Sequence, residues 1–342
     1  MVVGRAAAGI YLALLESGLN NGCILVPGNL CYAGIYPAIY AGLTPVFCDV
    51  DPFSGSVTLS SVMAAYKTSI RAAVLPHMYG NPIDELPEIF DFLHKRHVLV
   101  IEDCASAMGA QSSRYSLGHV GDYIVYSTGY AKTIELGYGG LLKSRVSDLA
   151  VASELERQFP LYTESCVREL ALFSRVYRLL RNEGHGTAIA SAIYAGLLSS
   201  SRNSFLVRLS EEQRQSVVQS ISTLPTVLRE RNRKRNLYAR ELRGVPLTVP
   251  HSSSGAVPWR YNLLIALPQK NRLIADCLSA RLPVSDWYPN VTPLFGSPQD
   301  LPGTDWHEQH IVNFPLTVED ELIVHICQFL RSYFEKEAPM LL

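Results

Sequence analysis

The sequence predicts an α/β fold: a large domain built on a doubly wound, mostly parallel sheet, followed by a smaller α/β domain. Three observations carry this expectation. Short apolar runs alternate with helical stretches through the first half of the 342-residue chain. The runs are β-branched and apolar on both faces, as strands covered by helices on both sides are. Hydrophobic residues make up 48% of the chain, enough to fill one large core or a large and a small one.

Taken in order, strands are expected at residues 24–27, 45–50, 72–76, 98–101, 123–127 and 140–142, with helices at 6–17, 33–41, 59–67 and 86–95. Leu59, Ser60 and Ser61 mark a capped start for the third helix. Strand, helix, strand, repeated, gives a parallel sheet whose ligands sit beyond the carboxyl ends of the strands, so chemistry is sought there. Residues 146–200 read as helical and carry no clear site chemistry. A helical pattern runs from 210 to 242, with Leu224-Pro225 as a break. After Gly244, strands are expected at 261–266 and 282–285, and a closing helix at 318–334. The division expected is 1–210 for the large domain and 211–342 for a long connecting helix with the small carboxyl-terminal domain.

Composition excludes several functions. The net charge is −1, so no overall positive field draws in nucleic acid or an anionic membrane. The densest basic run, Arg229, Arg231, Arg233, Lys234 and Arg235, reads as the wet face of a helix with Glu230 mixed in rather than a phosphate-binding patch. Seven cysteines lie scattered without CxxC spacing. That pattern points to a reducing, cytoplasmic setting without disulfides or a bound metal. No secretion signal is read at the start. The apolar run 187–198 is shorter than the ~20 residues that span a bilayer.

Three segments carry chemistry. Asp103, in Glu102-Asp103-Cys104-Ala105-Ser106, stands at the end of a buried strand, where a charge is costly without a partner. A protonated pyridine nitrogen is one such partner; magnesium or a helix cap are others. Ser127 and Lys132 follow the next strand. A lysine in a partly apolar pocket becomes a nucleophile toward an aldehyde, and a surface charge is the bland alternative. Gly4-Arg5-Ala6-Ala7-Ala8 opens a helix, a natural phosphate site. Gly137–Gly140 reads as turn chemistry. His77 reads as a satisfied strand-end histidine ahead of an active-site acid or base. Tyr79 and Tyr138 either line the pocket or pack.

Together, in order and spacing, these segments resemble the DegT/DnrJ/StrS-type sugar aminotransferases, members of the fold-type I pyridoxal-phosphate enzymes. The resemblance runs through Pro27, Gly42-Leu43-Thr44-Pro45-Val46-Phe47-Cys48-Asp49-Val50-Asp51, Pro76-His77-Met78-Tyr79-Gly80-Asn81-Pro82-Ile83-Asp84, the Glu102-Asp103 segment, Gly118-His119-Val120-Gly121-Asp122, Ser127, Lys132 and the glycine turn. It is collinear from Gly4 to about Leu142 and fades through the middle of the chain. It returns weakly at Arg208-Leu209-Ser210 with Gln213, at Trp287-Tyr288-Pro289 and at Val312-Asn313-Phe314-Pro315-Leu316.

The resemblance implies a pyridoxal 5'-phosphate cofactor. Lys132 would carry it and act as general base and acid. Asp103 would pair with its ring nitrogen, with Cys31 and Ser106 beside the ring, and Ser127, Gly4 and Arg5 would hold its phosphate. It also implies a homodimer with sites at the interface, an amino-acid donor such as glutamate, and a keto-sugar substrate, nucleotide-linked, for amino-sugar, surface-polysaccharide or secondary-metabolite biosynthesis. Three positions depart from the family pattern. Ser106 stands where Gln or His is usual, Cys31 where an aromatic stacks on the ring, and Leu206 where an Asn reaches the neighbouring subunit's phosphate, with Asn203 the nearest substitute. These departures motivate the alternative of a non-catalytic or regulatory descendant. The chain also starts three residues before the phosphate helix, where family members carry a longer leader: a shortened member or an incomplete start.

Overall fold

The computed structural model describes residues 1–183, 188–295 and 300–337, with the backbone alone at 181–183, 188–191 and 336–337. The chain runs β1 (Val2–Val3), α1 (Ala6–Glu16), β2 (Cys23–Pro27), α2 (Tyr32–Tyr40), β3 (Thr44–Cys48), α3 (Leu59–Ala65), β4 (Ile70–Pro76), α4 (Leu86–His94), β5 (Leu99–Asp103), β6 (Tyr123–Ser127) and β7 (Gly140–Ser144). The helices α5 (Ala150–Arg157), α6 (Glu164–Glu183), α7 (Ala188–Phe205), α8 (Glu211–Ser220) and α9 (Leu224–Glu241) follow. Then come β8 (Tyr261–Leu264), α10 (Gln269–Ser279), α11 (Pro302–His310), β9 (Ile311–Phe314) and α12 (Asp320–Glu337).

Seven strands form one sheet in the order β1-β7-β6-β5-β4-β2-β3. Strands β2 to β6 run parallel to one another. Alternation along β2 shows the two covered faces: Ile24 and Val26 join the core under α1 and α2, while Leu25 joins the core under α3 and α4. In α1, every residue from Ala7 to Leu14 is buried, because the helix sits against β6, β7, α2 and α5.

The expected strands and helices recur with shifts at the ends and with the corrections that follow, and β9, α10 and α11 lie outside the elements the sequence predicted. β7 is antiparallel to β6, not parallel. The connection between them, residues 128–139, contains no helix, and parallel pairing needs a long crossover. The edge strand β1, two residues long, pairs antiparallel with β7 and gave too short a pattern to read. Residues 282–285 form no strand; Ser285 makes an isolated bridge to Asn313.

The helical run 210–242 is two helices, α8 and α9, separated by a 3-10 turn at Ile221–Thr223. Ser210 and Gln213 close a reciprocal cap on α8, and Pro225 lies in the first turn of α9, where its missing N–H costs nothing. The third helix is capped one residue earlier than expected, by Thr58 with Ser61. A second core gathers Leu237 and Tyr238 of α9, Leu263 of β8, Leu273 and Cys277 of α10, Phe314 of β9 and Ile323 of α12 around the β8-β9 pair. Of the apolar run 187–198, Thr187 lies outside the described residues and the rest belongs to α7. Among the described residues no helix is long and apolar enough to cross a membrane.

Candidate active site

The carboxyl ends of the parallel strands bring the sequence-flagged residues together. Asp103 closes β5 with its carboxylate buried, and the Ala105 N–H donates to its Oδ1 at 2.9 Å. Burial raises its pKa, and the Lys132 ammonium opposes that rise. The Cys31 thiol is likewise raised by burial, opposed by Lys132 and raised further by Asp103. The three side chains therefore lie within electrostatic reach of one another. Lys132 Nζ donates to Ser106 Oγ at 3.1 Å.

The segment that carries Lys132 is held from the far end of the chain. Ala131 has a left-handed backbone with φ 55°, sparsely populated for an alanine. Its carbonyl accepts the Trp259 indole N–H at 2.7 Å, and the Lys132 carbonyl accepts from Arg231 at 2.7 Å. Arg231 also donates to the carbonyls of Trp259 at 3.0 Å and Pro258 at 3.3 Å. The wet-face reading of the basic run therefore fails at Arg231, which is 4% exposed. Its neighbours are tied down as well: Arg233 pairs with Glu230 and Asp320, and Lys234 donates to the Val318 carbonyl. Periodicity showed the helix but not that its inner face lies on the Lys132 segment.

Gly4 and Arg5 meet Ser127 through the glycine turn. The Gly139 N–H donates to the Gly4 carbonyl at 2.8 Å, Arg5 bridges Gly139, and the Gly129 N–H donates to Ser127 Oγ at 3.2 Å. Gly4 must lack a side chain, since a Cβ there would lie 2.0 Å from the Val207 carbonyl oxygen. The Arg5 guanidinium lies 5.5 Å from the Tyr162 ring centre, and its Nε is buried without a hydrogen-bond partner.

Several motif residues serve structure instead. Glu102 is fully buried and its two oxygens accept the N–H groups of Gly118 at 2.6 Å, Val120 at 2.9 Å and Gly121 at 3.1 Å. His77 Nδ1 accepts the Ile83 N–H, so Nε2 carries the proton that meets Glu102 at 3.1 Å. His77 is thus the satisfied strand-end histidine. Glu102, His77 and Cys104 stand close enough to one another to ligate an ion, yet the Glu102 oxygens are already taken by these donors. Asp49 accepts the N–H groups of Gly303 and Thr304, capping α11 and tying it to β3.

Leu206 is 2% exposed and belongs to the large core, so it cannot reach outward as an asparagine would there; Asn203 is exposed. Tyr138 sits 5.5 Å from Tyr162, ring to ring. A buried aromatic group that sequence reasoning missed as a unit lies beside Lys132. Tyr288 stacks on Trp259 at 5.3 Å, its hydroxyl against Ser106. Tyr79, with φ 58°, accepts the Tyr288 N–H and donates to His307 Nε2, both at 3.0 Å. Trp287-Tyr288-Pro289 was visible as a landmark; nothing local to His307 marked it. Two hollows of about 350 and 400 Å³ lie elsewhere, beside His94 and Asp122 and beside Arg233 and Asp320.

The chain is similar to several known proteins. GDP-perosamine synthase of Escherichia coli O157:H7 is 32% identical over 141 residues, 41% of this chain and 38% of that protein, so the match spans well under half of its length. GDP-perosamine synthase of Vibrio cholerae is 23% identical over 345 residues, 97% of this chain and 85% of that one. The structure of aminotransferase TlmJ from Streptoalloteichus hindustanus superposes with a TM-score of 0.76 at 20% identity, covering 98% of this chain and 86% of that one, a likeness of fold. The model of the DegT/DnrJ/EryC1/StrS aminotransferase family matches residues 1–331, and the chain belongs to that family.

Proposed function

We propose that this protein is a pyridoxal-phosphate-dependent aminotransferase. It would move an amino group from an amino-acid donor, glutamate as the first choice, to a keto sugar carried on a nucleotide, in amino-sugar, surface-polysaccharide or secondary-metabolite biosynthesis. The observation that carries the reading is that Lys132, which follows β6, and the buried Asp103, which closes the adjacent β5, lie within electrostatic reach of each other.

The residues present suit the cofactor. Asp103 has a backbone N–H as its hydrogen-bond donor and makes no ion pair among the described residues, so a pyridinium N–H would answer a buried charge that is otherwise costly. The unpartnered Nε of Arg5, the residue before α1 that bridges Gly139, suits a phosphate. When bound, pyridoxal phosphate supplies an electron sink that makes the donor's Cα proton labile. In this reading Asp103 keeps the ring nitrogen protonated, Arg5, Gly4 and Ser127 hold the phosphate, and Cys31 and Ser106 flank the ring. Lys132 carries the cofactor, and its Nζ takes up and returns the proton at the donor Cα. Arg231 and Trp259 orient the backbone that aims Lys132. A homodimer, a cytoplasmic location and the division 1–210 and 211–342 complete the proposal.

A second reading, a non-catalytic or regulatory descendant that keeps the fold as a binding partner, is favoured by one feature. Leu206 is locked into the core where a partner-reaching asparagine is usual.

The test is direct. Purified protein with added pyridoxal phosphate should gain the cofactor's visible absorbance, and borohydride should fix the label on the peptide containing Lys132. No band, or label elsewhere, rejects the proposal. Amino transfer to any keto sugar rejects the second reading.

A further inference from the structure

Arg260 immediately precedes β8, and its side chain is half-buried. The guanidinium carbon lies 4.6 Å from the Trp259 ring centre, and one terminal nitrogen donates to Ser285 Oγ at 2.8 Å. The Ser285 hydroxyl passes on to Asn313 Oδ1 at 3.2 Å, which also accepts the Trp287 N–H at 2.7 Å. An aromatic face and a chain of hydrogen bonds therefore fix the fork.

Among the described residues Arg260 makes no ion pair. Burial lowers its pKa, and the Tyr288 and Tyr130 hydroxyls and the Glu135 carboxylate act on it only from a distance. A guanidinium partly stripped of water and left without a carboxylate costs free energy, and an incoming anion would offset that cost. The position joins it to the chemistry. Trp259 beneath Arg260 donates to the Ala131 carbonyl, and Tyr288, stacked on Trp259, lies against the Ser106 that receives Lys132 Nζ.

We propose that Arg260 binds a carboxylate of the amino donor, an inference that rests on the aminotransferase reading. The planar fork matches a carboxylate with two parallel hydrogen bonds. Of the two substrates of a transamination between an amino acid and a keto sugar, the donor is the one bound to carry a carboxylate. A nucleotide sugar would bring phosphate groups, and the experiment separates the two.

Wild type, R260K and R260Q are loaded with pyridoxal phosphate, and loss of the cofactor's aldehyde absorbance is followed against donor concentration. R260Q should raise the donor's half-saturation about 10- to 100-fold, with the limiting rate much less affected and R260K in between. The half-saturation for the nucleotide sugar should stay put. An unchanged donor half-saturation, or a shift confined to the nucleotide sugar, overturns the inference.

Succinate, an unreactive dicarboxylate, supplies a readout without turnover: it should change tryptophan fluorescence saturably in wild type and R260K and much less in R260Q. Equal responses in wild type and R260Q overturn the inference, and this titration stands even where a variant loads cofactor poorly. Failure of wild type to take up pyridoxal phosphate rejects the aminotransferase reading instead.

Discussion

His307 should make this protein lose stability in mild acid. Its ring is fully buried and both nitrogens are spent on a neutral tautomer: Nδ1–H donates to the Pro52 carbonyl at 2.7 Å, and Nε2 accepts the Tyr79 hydroxyl at 3.0 Å. Tyr79 cannot readily turn its proton elsewhere, because its oxygen already accepts the Tyr288 N–H. Burial first, then the positive charges of Lys270 and His310, lower the pKa from 6.5 to about 4, against the opposing pulls of the Pro52 carbonyl and Asp51. Between those values the unfolded chain binds the proton and the folded one does not, so stability falls as pH drops from 6.5 toward 4 and is level below that. The contribution is about 2 kcal/mol lost between pH 7 and pH 5, rising to ~3 kcal/mol below pH 4. The assay is urea unfolding by tryptophan fluorescence at pH 7 and pH 5, for wild type and H307N, whose difference cancels the shared carboxylates. H307N should be weaker at pH 7 by roughly 1–3 kcal/mol, from the orphaned Tyr79 hydroxyl, and should lose less on acidification. Parallel losses in the two proteins would refute the assignment of a neutral buried ring.

Two further predictions concern the supports around Lys132. Burial raises the Glu102 pKa, but the His77 contact and the backbone N–H groups of Gly118 and Gly121 outweigh it and leave the carboxyl lowered. Its contribution should be present above about pH 4.5 and lost as pH falls through the depressed folded value. E102Q should cost about 3–5 kcal/mol in denaturant melts, because an amide –NH₂ would face N–H donors. R231M keeps the stem but removes three hydrogen bonds to the carbonyls of Lys132, Trp259 and Pro258. It should cost about 2–4 kcal/mol and slow borohydride-trappable labelling of Lys132, and unchanged labelling would show that the Lys132 segment needs no clamp.

Much of the first half was legible because its order is local. Short continuous apolar runs gave β6 to the residue, and the other expected strands of the large sheet to within a few residues at either end. What failed there was direction: the strand after the Lys132 segment reads like its neighbours, and only the missing crossover helix makes it antiparallel. In the second half, residues 282–285 have the composition of a strand but pair through Ser285 alone.

The sequence by itself determined the layered fold, the family resemblance and the candidates Asp103, Ser127 and Lys132, since each stands at a strand end marked by a pattern a few residues long. Only the tertiary structure decided that Arg231 is buried, that Glu102 and His77 knit strand ends to the 118–121 loop, that Trp259 and Tyr288 meet the Lys132 segment and Ser106, and that Arg260 lies over Trp259 and His307 behind Tyr79. Those relations join residues more than a hundred positions apart in several cases, and a burial or a hydrogen bond between distant segments leaves no periodicity in either one.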